Sequence, residues 1–119
     1  MSDIRNNVIL IGFLGSDPEY HETATGKKVA KVSIATQCSY KTKDGELVKD
    51  TQWHRLVAWE RGADYMRNYL RKGSHVAVLG KLKYSRYESD DGTMRYYTDV
   101  IVQEFKNFSQ SGTDEALPF

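Results

Sequence analysis

The sequence predicts an all-β domain with one short helix, and three observations carry that prediction. Five segments either alternate apolar and polar residues or form short apolar runs bounded by turn residues. One segment alone repeats its apolar residues at spacings of three and four. The length of 119 residues suits one hydrophobic core and hardly two.

The first segment, NNVILIGFLG, is a short apolar run broken by Gly12 and Gly15 and followed by SDP. It reads as a strand that bends at glycine and ends in a turn. KKVAKVSIATQCS alternates, with Ala30, Val32, Ile34, Thr36 and Cys38 on one face and Lys31, Ser33, Ala35 and Gln37 on the other. The loop YKTKDGELVKD leads to a third strand, TQWHRLVAWE. In ERGADYMRNYLRKG the residues Ala63, Met66, Tyr69 and Leu70 share a helical face. Asp64 lies early in that segment, and Arg71, Lys72 and Gly73 close it as a helix C-terminus requires. HVAVLGKLKYSRYES and TMRYYTDVIVQEF are the last two strands, joined through the hairpin signal SDDG. Three strands, a helix and two strands is the order of a five-stranded Greek-key barrel with a helix between its third and fourth strands, the OB-fold, although other small barrels share this content. Residues 1–108 form the expected domain and 109–119 a short flexible tail.

Charge is unevenly distributed. All 17 Lys and Arg but only 14 of the 16 acidic residues lie before residue 114, which leaves the body at +3 while Asp114 and Glu115 make the tail acidic. Eight Tyr and two Trp outnumber four Phe, a set of amphipathic rings suited to a partly wet face. No stretch approaches the ~20 apolar residues of a membrane span, and the beginning of the chain does not read as a secretion signal, so a cytoplasmic protein is expected. One cysteine, Cys38, and three histidines build neither a disulfide framework nor a zinc site. Neither metal nor cofactor is expected. The acidic pairs Asp17 with Glu19 and Asp90 with Asp91 lie at turn signals, where Asp serves the backbone. His21, His54 and His75 accompany no nucleophile motif and no phosphate-cradling glycine loop. An enzyme is not expected.

The third strand carries the chemistry. One parity of TQWHRLVAWE holds Trp53, Arg55, Val57 and Trp59, and the other holds Gln52, His54, Leu56 and Ala58. Residue type alone favours burying the Trp parity. Arg55, however, lies between the rings, and a buried Arg costs several kcal/mol unless fully paired. Turned outward, the row offers rings on which unpaired bases stack at ~1 to 3 kcal/mol each, with a cation between them for a phosphate. The hairpins repeat the interleaving: Tyr40, Lys41 and Lys43 in one, and Lys83, Tyr84, Arg86, Tyr87, Arg95, Tyr96 and Tyr97 in the other. Arg71 and Lys72 are equally explained as cations at a helix end. Two rival readings are an assembly protein without DNA binding and an RNA-binding module of the same fold.

The runs NNVILIGFLGSDPE, TQWHRLVAW, YLRKG and GKLKYSRYESDDG, together with the ending Leu117-Pro118-Phe119, resemble the bacterial single-stranded DNA-binding protein (SSB) family. The resemblance implies an OB-fold, assembly as a homotetramer, and single-stranded DNA as the ligand. It also implies recruitment of replication, recombination and repair proteins through a disordered acidic tip, and a place in the cytoplasm with the nucleoid. Carried over by position, it makes Trp53 and Trp59 base-stacking residues, Arg55 a phosphate contact, Lys83, Arg71 and Lys72 basic DNA contacts, and His54 a subunit-interface residue. Tyr40 and Tyr87 stand where the family commonly has Trp. Asn7 and Ser85 stand where a basic residue is common, with Arg86 next to Ser85. The family usually has a long linker before its tip, whereas only about a dozen residues follow Phe108 here. The tip, Asp114, Glu115, Leu117, Pro118 and Phe119, is the expected partner-binding segment. Its apolar ring and terminal carboxylate suit a pocket with a basic rim.

Overall fold

The computed structural model describes residues 4–108 and 116–118 of the chain. The elements run β1 (Val8–Leu14), β2 (Glu19–Glu22), β3 (Lys28–Lys41), β4 (Leu47–Trp59), α1 (Arg61–Tyr69), β5 (His75–Glu88), β6 (Met94–Asn107) and β7 (Ala116–Pro118). The sheet order is β1-β5-β6-β4-β3-β2, and β1 also pairs with β3. That last pairing closes β1, β5, β6, β4 and β3 into a five-stranded barrel, the predicted OB-fold. Every pairing is antiparallel except β4 with β6, which run parallel through Arg55↔Asp99, Leu56↔Val100 and Val57↔Ile101.

Closure depends on a small residue. A Cβ at Gly12 would collide with the carbonyl oxygen of Ala35, so only glycine lets β1 approach β3 closely enough to pair Phe13↔Ala35 and Leu14↔Ile34. The core is filled by the alternating apolar residues, among them Ala30, Val32, Ile34, Leu56, Ala58, Val76, Val78, Val100 and Phe105. Helix α1 plugs one end with Ala63, Tyr65, Met66 and the following Leu70. Tyr69, expected on the buried face, is exposed, and Tyr65 takes its place, with its ring centroid 5.5 Å from that of Phe105.

The connection from β4 into α1 turns at Glu60, a non-glycine residue at φ 55°. Reciprocal hydrogen bonds to Lys28 hold the turn: the Glu60 amide donates to the Lys28 carbonyl at 2.9 Å, and the Lys28 amide donates to Glu60 Oε1 at 3.1 Å. Two features differ from the expected elements. Glu19–Glu22 pairs with Lys28–Lys31 as a short edge strand. Ala116–Pro118, expected within a flexible tail, forms β7 on β6, in the register Lys106↔Ala116, Phe105↔Leu117 and Glu104↔Pro118. The β3–β4 and β5–β6 hairpins extend beyond the barrel as two arms. The radius of gyration is 16.2 Å, against about 13.5 Å for a compact chain of this length.

Candidate nucleic-acid interface

The inward parity of β4 is Leu56 and Ala58, both fully buried, while Trp53 is 61% and Trp59 42% exposed. Both rings therefore face outward with Arg55 between them, as the cost of burying an arginine requires. The register extends the row sideways. Trp53, Arg55, Val57 and Trp59 stand opposite Ala35, Ser33, Lys31 and Val29 of β3. Through the parallel pairing Arg55 neighbours Asp99 of β6, which faces Lys83 of β5, with Tyr97 opposite Ser85 further along the arm. The outer face thus carries two Trp, Tyr97, Lys31, Arg55 and Lys83, with Asp99 among them.

Each ring has a local support. The Trp53 ring lies on Gly15, where a Cβ would collide with its six-membered ring. Gly15 is itself tied to β3 by its amide, which donates to the Ser33 carbonyl at 3.0 Å. Trp59 sits beside Lys27 and Glu60 at the start of the helix connection, so the Glu60 turn fixes that end of the row. Between the rings the Arg55 guanidinium lies 5.1 Å from the Tyr97 ring centroid, a cation–π distance. A polar cleft lined by Ser16, Glu19, His21, Lys31, Ser33 and Arg55 opens next to it and places two cations within one recess.

The remaining site candidates divide. Lys72 adjoins the row: its backbone amide donates to Asp17 Oδ1 at 2.8 Å, and the Gly73 amide donates to the Leu14 carbonyl at 2.8 Å, next to the Gly15 support of Trp53. Arg71 is committed to the helix end, donating through Nη1 to the carbonyls of Arg67 at 3.2 Å and Leu70 at 2.8 Å, which is the helix-cap explanation of its charge. Arg86 is not brought to the face. It pairs with Tyr96, whereas Lys83 and Ser85 pair with Asp99 and Tyr97, so alternation puts Arg86 on the reverse of the arm, where it cannot stand in for a basic residue at 85. Tyr40, opposite Val48 near the end of the other arm, shares its parity with Thr36 and Cys38 rather than with the Trp row. Tyr87 pairs with Arg95 in β5 and β6, and its side chain lies outside the described residues.

His54 is half-buried on the core parity, and its Nε2 is hydrogen-bonded to Thr36 Oγ1 at 3.0 Å. Near it begins a second outward face, one that sequence reasoning missed: Ile9, Ile11 and Phe13 of β1 are exposed at 71%, 54% and 52%. They stand beside Leu79, Ala77 and His75 of β5, and Phe13 stacks on His75 at 4.5 Å. The signal was the apolar run VILIGFL itself: both of its parities are apolar, so a strand with one face on the core must present large apolar side chains on the other. Of the tip, Asp114, Glu115 and Phe119 lie outside the described residues. Leu117 and Pro118 are in β7, paired with β6. Among the described residues no cluster of His, Cys, Asp and Glu could hold a metal, and no helix is long and apolar enough to cross a membrane.

Residues 5–108 match the model of the single-strand binding protein family. A protein of Xanthomonas axonopodis pv. citri called single-stranded DNA-binding protein is 39% identical over 107 residues, covering 90% of this chain and 59% of the relative. Single-stranded DNA-binding protein 1 of Chlorobaculum tepidum is 37% identical over 116 residues, covering 93% of this chain and 72% of the relative. The chain spans 59% of the length of that Xanthomonas axonopodis relative and 62% of a 38% identical single-stranded DNA-binding protein of Xanthomonas campestris pv. campestris. Among solved structures, a Plasmodium falciparum SSB in complex with single-stranded DNA superposes with a TM-score of 0.74 at 33% identity, over 81% of this chain and 84% of that one. A deletion mutant of the single-stranded DNA binding protein from Thermus aquaticus superposes with a TM-score of 0.76 at 26% identity, over 94% of this chain and 53% of that one.

Proposed function

The chain belongs to the single-strand binding protein family, and from that premise we propose that it binds single-stranded DNA without sequence preference and protects unwound DNA in replication, recombination and repair. The observation that carries the reading is the outward row Trp53, Arg55 and Trp59, whose exposed rings are supported from below and whose half-buried cation lies between them. Stacking tolerates any base because every base has a flat face, and duplex DNA offers none of those faces. Lys31, Lys83 and Lys72 extend the row with charge for the sugar-phosphate backbone, and Tyr40 and Tyr87 lie along the arms at the positions the family resemblance assigns. The work is binding alone.

Assembly belongs to the same reading. Ile9, Ile11 and Phe13 form an apolar strip that further copies of this chain would cover, with His54 close to its border, in the homotetramer the family resemblance implies. Leu117, Pro118 and Phe119 with Asp114 and Glu115 act as the ligand for replication and repair partners, and β7 must leave the β6 edge before that segment is available.

Titration of oligo(dT), oligo(U) and duplex DNA while following Trp fluorescence tests the binding. Quenching by oligo(dT) at low salt, weaker with oligo(U) and absent with duplex, is the expected result; an unresponsive signal with oligo(dT) would remove the reading.

A further inference from the structure

A carboxylate in the middle of a face meant for a polyanion calls for a reason. Asp99 shares the outer face with the Trp row, between Arg55 on β4 and Lys83 on β5. Its side chain is 14% exposed, against 38% for Arg55, and Arg55 Nε lies 3.1 Å from Asp99 Oδ1. That oxygen is buried and accepts no hydrogen bond, so the attraction is Coulombic, an ion pair without an aligned N–H. A half-buried carboxylate whose inner oxygen is held by charge alone is costly, and its neighbour is the one arginine between the rings. Across from it the guanidinium is flanked by Tyr97. Arg55 is thereby gripped on its Nε side and on one flat face, and among the described residues its terminal nitrogens make no hydrogen bond within the chain. A guanidinium has five donors, so a carboxylate at Nε leaves the outer fork for a second anion.

We propose that Asp99 is a positioning residue: it holds Arg55 by the Nε side, with Tyr97 as backing, so that the outer edge of the guanidinium is set for a DNA phosphate before DNA arrives. This rests on Arg55 being a phosphate contact. An acid beside a polyanion site repels DNA by simple electrostatics, and removing it should strengthen binding; a positioning acid has the opposite sign. Asp99 sits lower in the surface than Arg55, which shields it from the phosphate more than from its partner.

The sign decides, read in a double-mutant cycle of oligo(dT) affinity. Asp99→Asn should weaken binding by about fivefold in the otherwise unchanged protein, within the range expected of directly coupled residues. In an Arg55→Ala background the same change should be neutral or strengthen binding, because only the repulsion is left to remove. Asp99→Asn strengthening binding in both backgrounds would overturn the proposal. An Arg55→Ala change that leaves the salt slope untouched would instead remove the phosphate contact itself, which is a separate failure. If Asp99→Asn does not fold, side-chain nitrogen NMR of the unmodified protein decides. An Arg55 Nε–H signal that is already motionally restricted without DNA and stays so on adding oligo(dT) supports positioning; an averaged, solvent-like signal, or one restricted only after DNA is added, overturns it.

Discussion

Along β4 the residues that alternation turns away from the core are Trp53, Arg55 and Trp59; along β1 they are Ile9, Ile11 and Phe13. Both rows stand on the outside of one barrel, built by the same period of two. What separates them is what lies between the large side chains. The β4 row has a cation within it and Lys31 and Lys83 beside it, so a charged strand can lie over it without losing every partner for its phosphates. The β1 row is apolar with no cation within it, and laying a phosphate backbone there would strip water from the anions with nothing to replace it. Backbone periodicity decides which residues leave the core, and residue chemistry decides what they can meet.

The largest effect should come from exchanging those chemistries. Ile11→Glu places a charge in the apolar strip and should cost several kcal/mol of association free energy, so light scattering should report monomers where the proposed assembly predicts tetramers for the unmodified protein. A monomeric unmodified protein would remove the β1 half of the comparison. Next come the rings. Trp53→Ala and Trp59→Ala should each weaken oligo(dT) binding by ~1 to 3 kcal/mol with little change in salt dependence. Gly15→Val sharpens this prediction, because it lifts the Trp53 ring without removing it and should reproduce much of the Trp53→Ala loss at unchanged far-ultraviolet dichroism. Arg55→Ala is smaller at moderate salt and different in kind: the slope of log affinity against log salt should flatten by about 0.7, the single-strand value for one phosphate.

The smallest effect belongs to neither row and serves as their control. The Ser89 hydroxyl, with the Thr93 amide, holds the Asp91 carboxyl down at about 2 in the turn between β5 and β6. A depressed carboxylate adds stability that is fully present above the ordinary value of 3.8 and is lost as pH falls through about 2. The Thr93 amide shift should therefore titrate near pH 2, while oligo(dT) affinity stays unchanged between pH 5 and 8.

The barrel was legible because its strands obey simple alternation and its helix stands alone. The β4 face was legible from one residue, since Arg55 among the rings made burial too costly. The place of Arg86 was legible too, since counting by twos from Lys83 puts it on the reverse of the arm. Tyr69 and Tyr65 could not be separated by helical spacing, because the choice depends on where Phe105 lies across the core. Glu19–Glu22 has no apolar pattern and becomes a strand only because the β3 edge offers it hydrogen bonds. The Gly15–Trp53 contact and the Asp99–Arg55 pair join residues far apart in sequence and exist only after the barrel closes.

Gly15 immediately follows the strand that bears Ile9, Ile11 and Phe13, so the floor under Trp53 and the apolar strip are parts of one short stretch of backbone. A subunit that docks on β1 and shifts it must also shift the seat of that ring. Thermodynamic linkage then makes the dependence mutual: if assembly changes the affinity for DNA by some factor, DNA must change the assembly constant by the same factor. The assembly constant measured on bare and on DNA-covered protein should then differ by the same factor as the DNA affinities of the separate and assembled subunits, with β1 as the element that joins the two events.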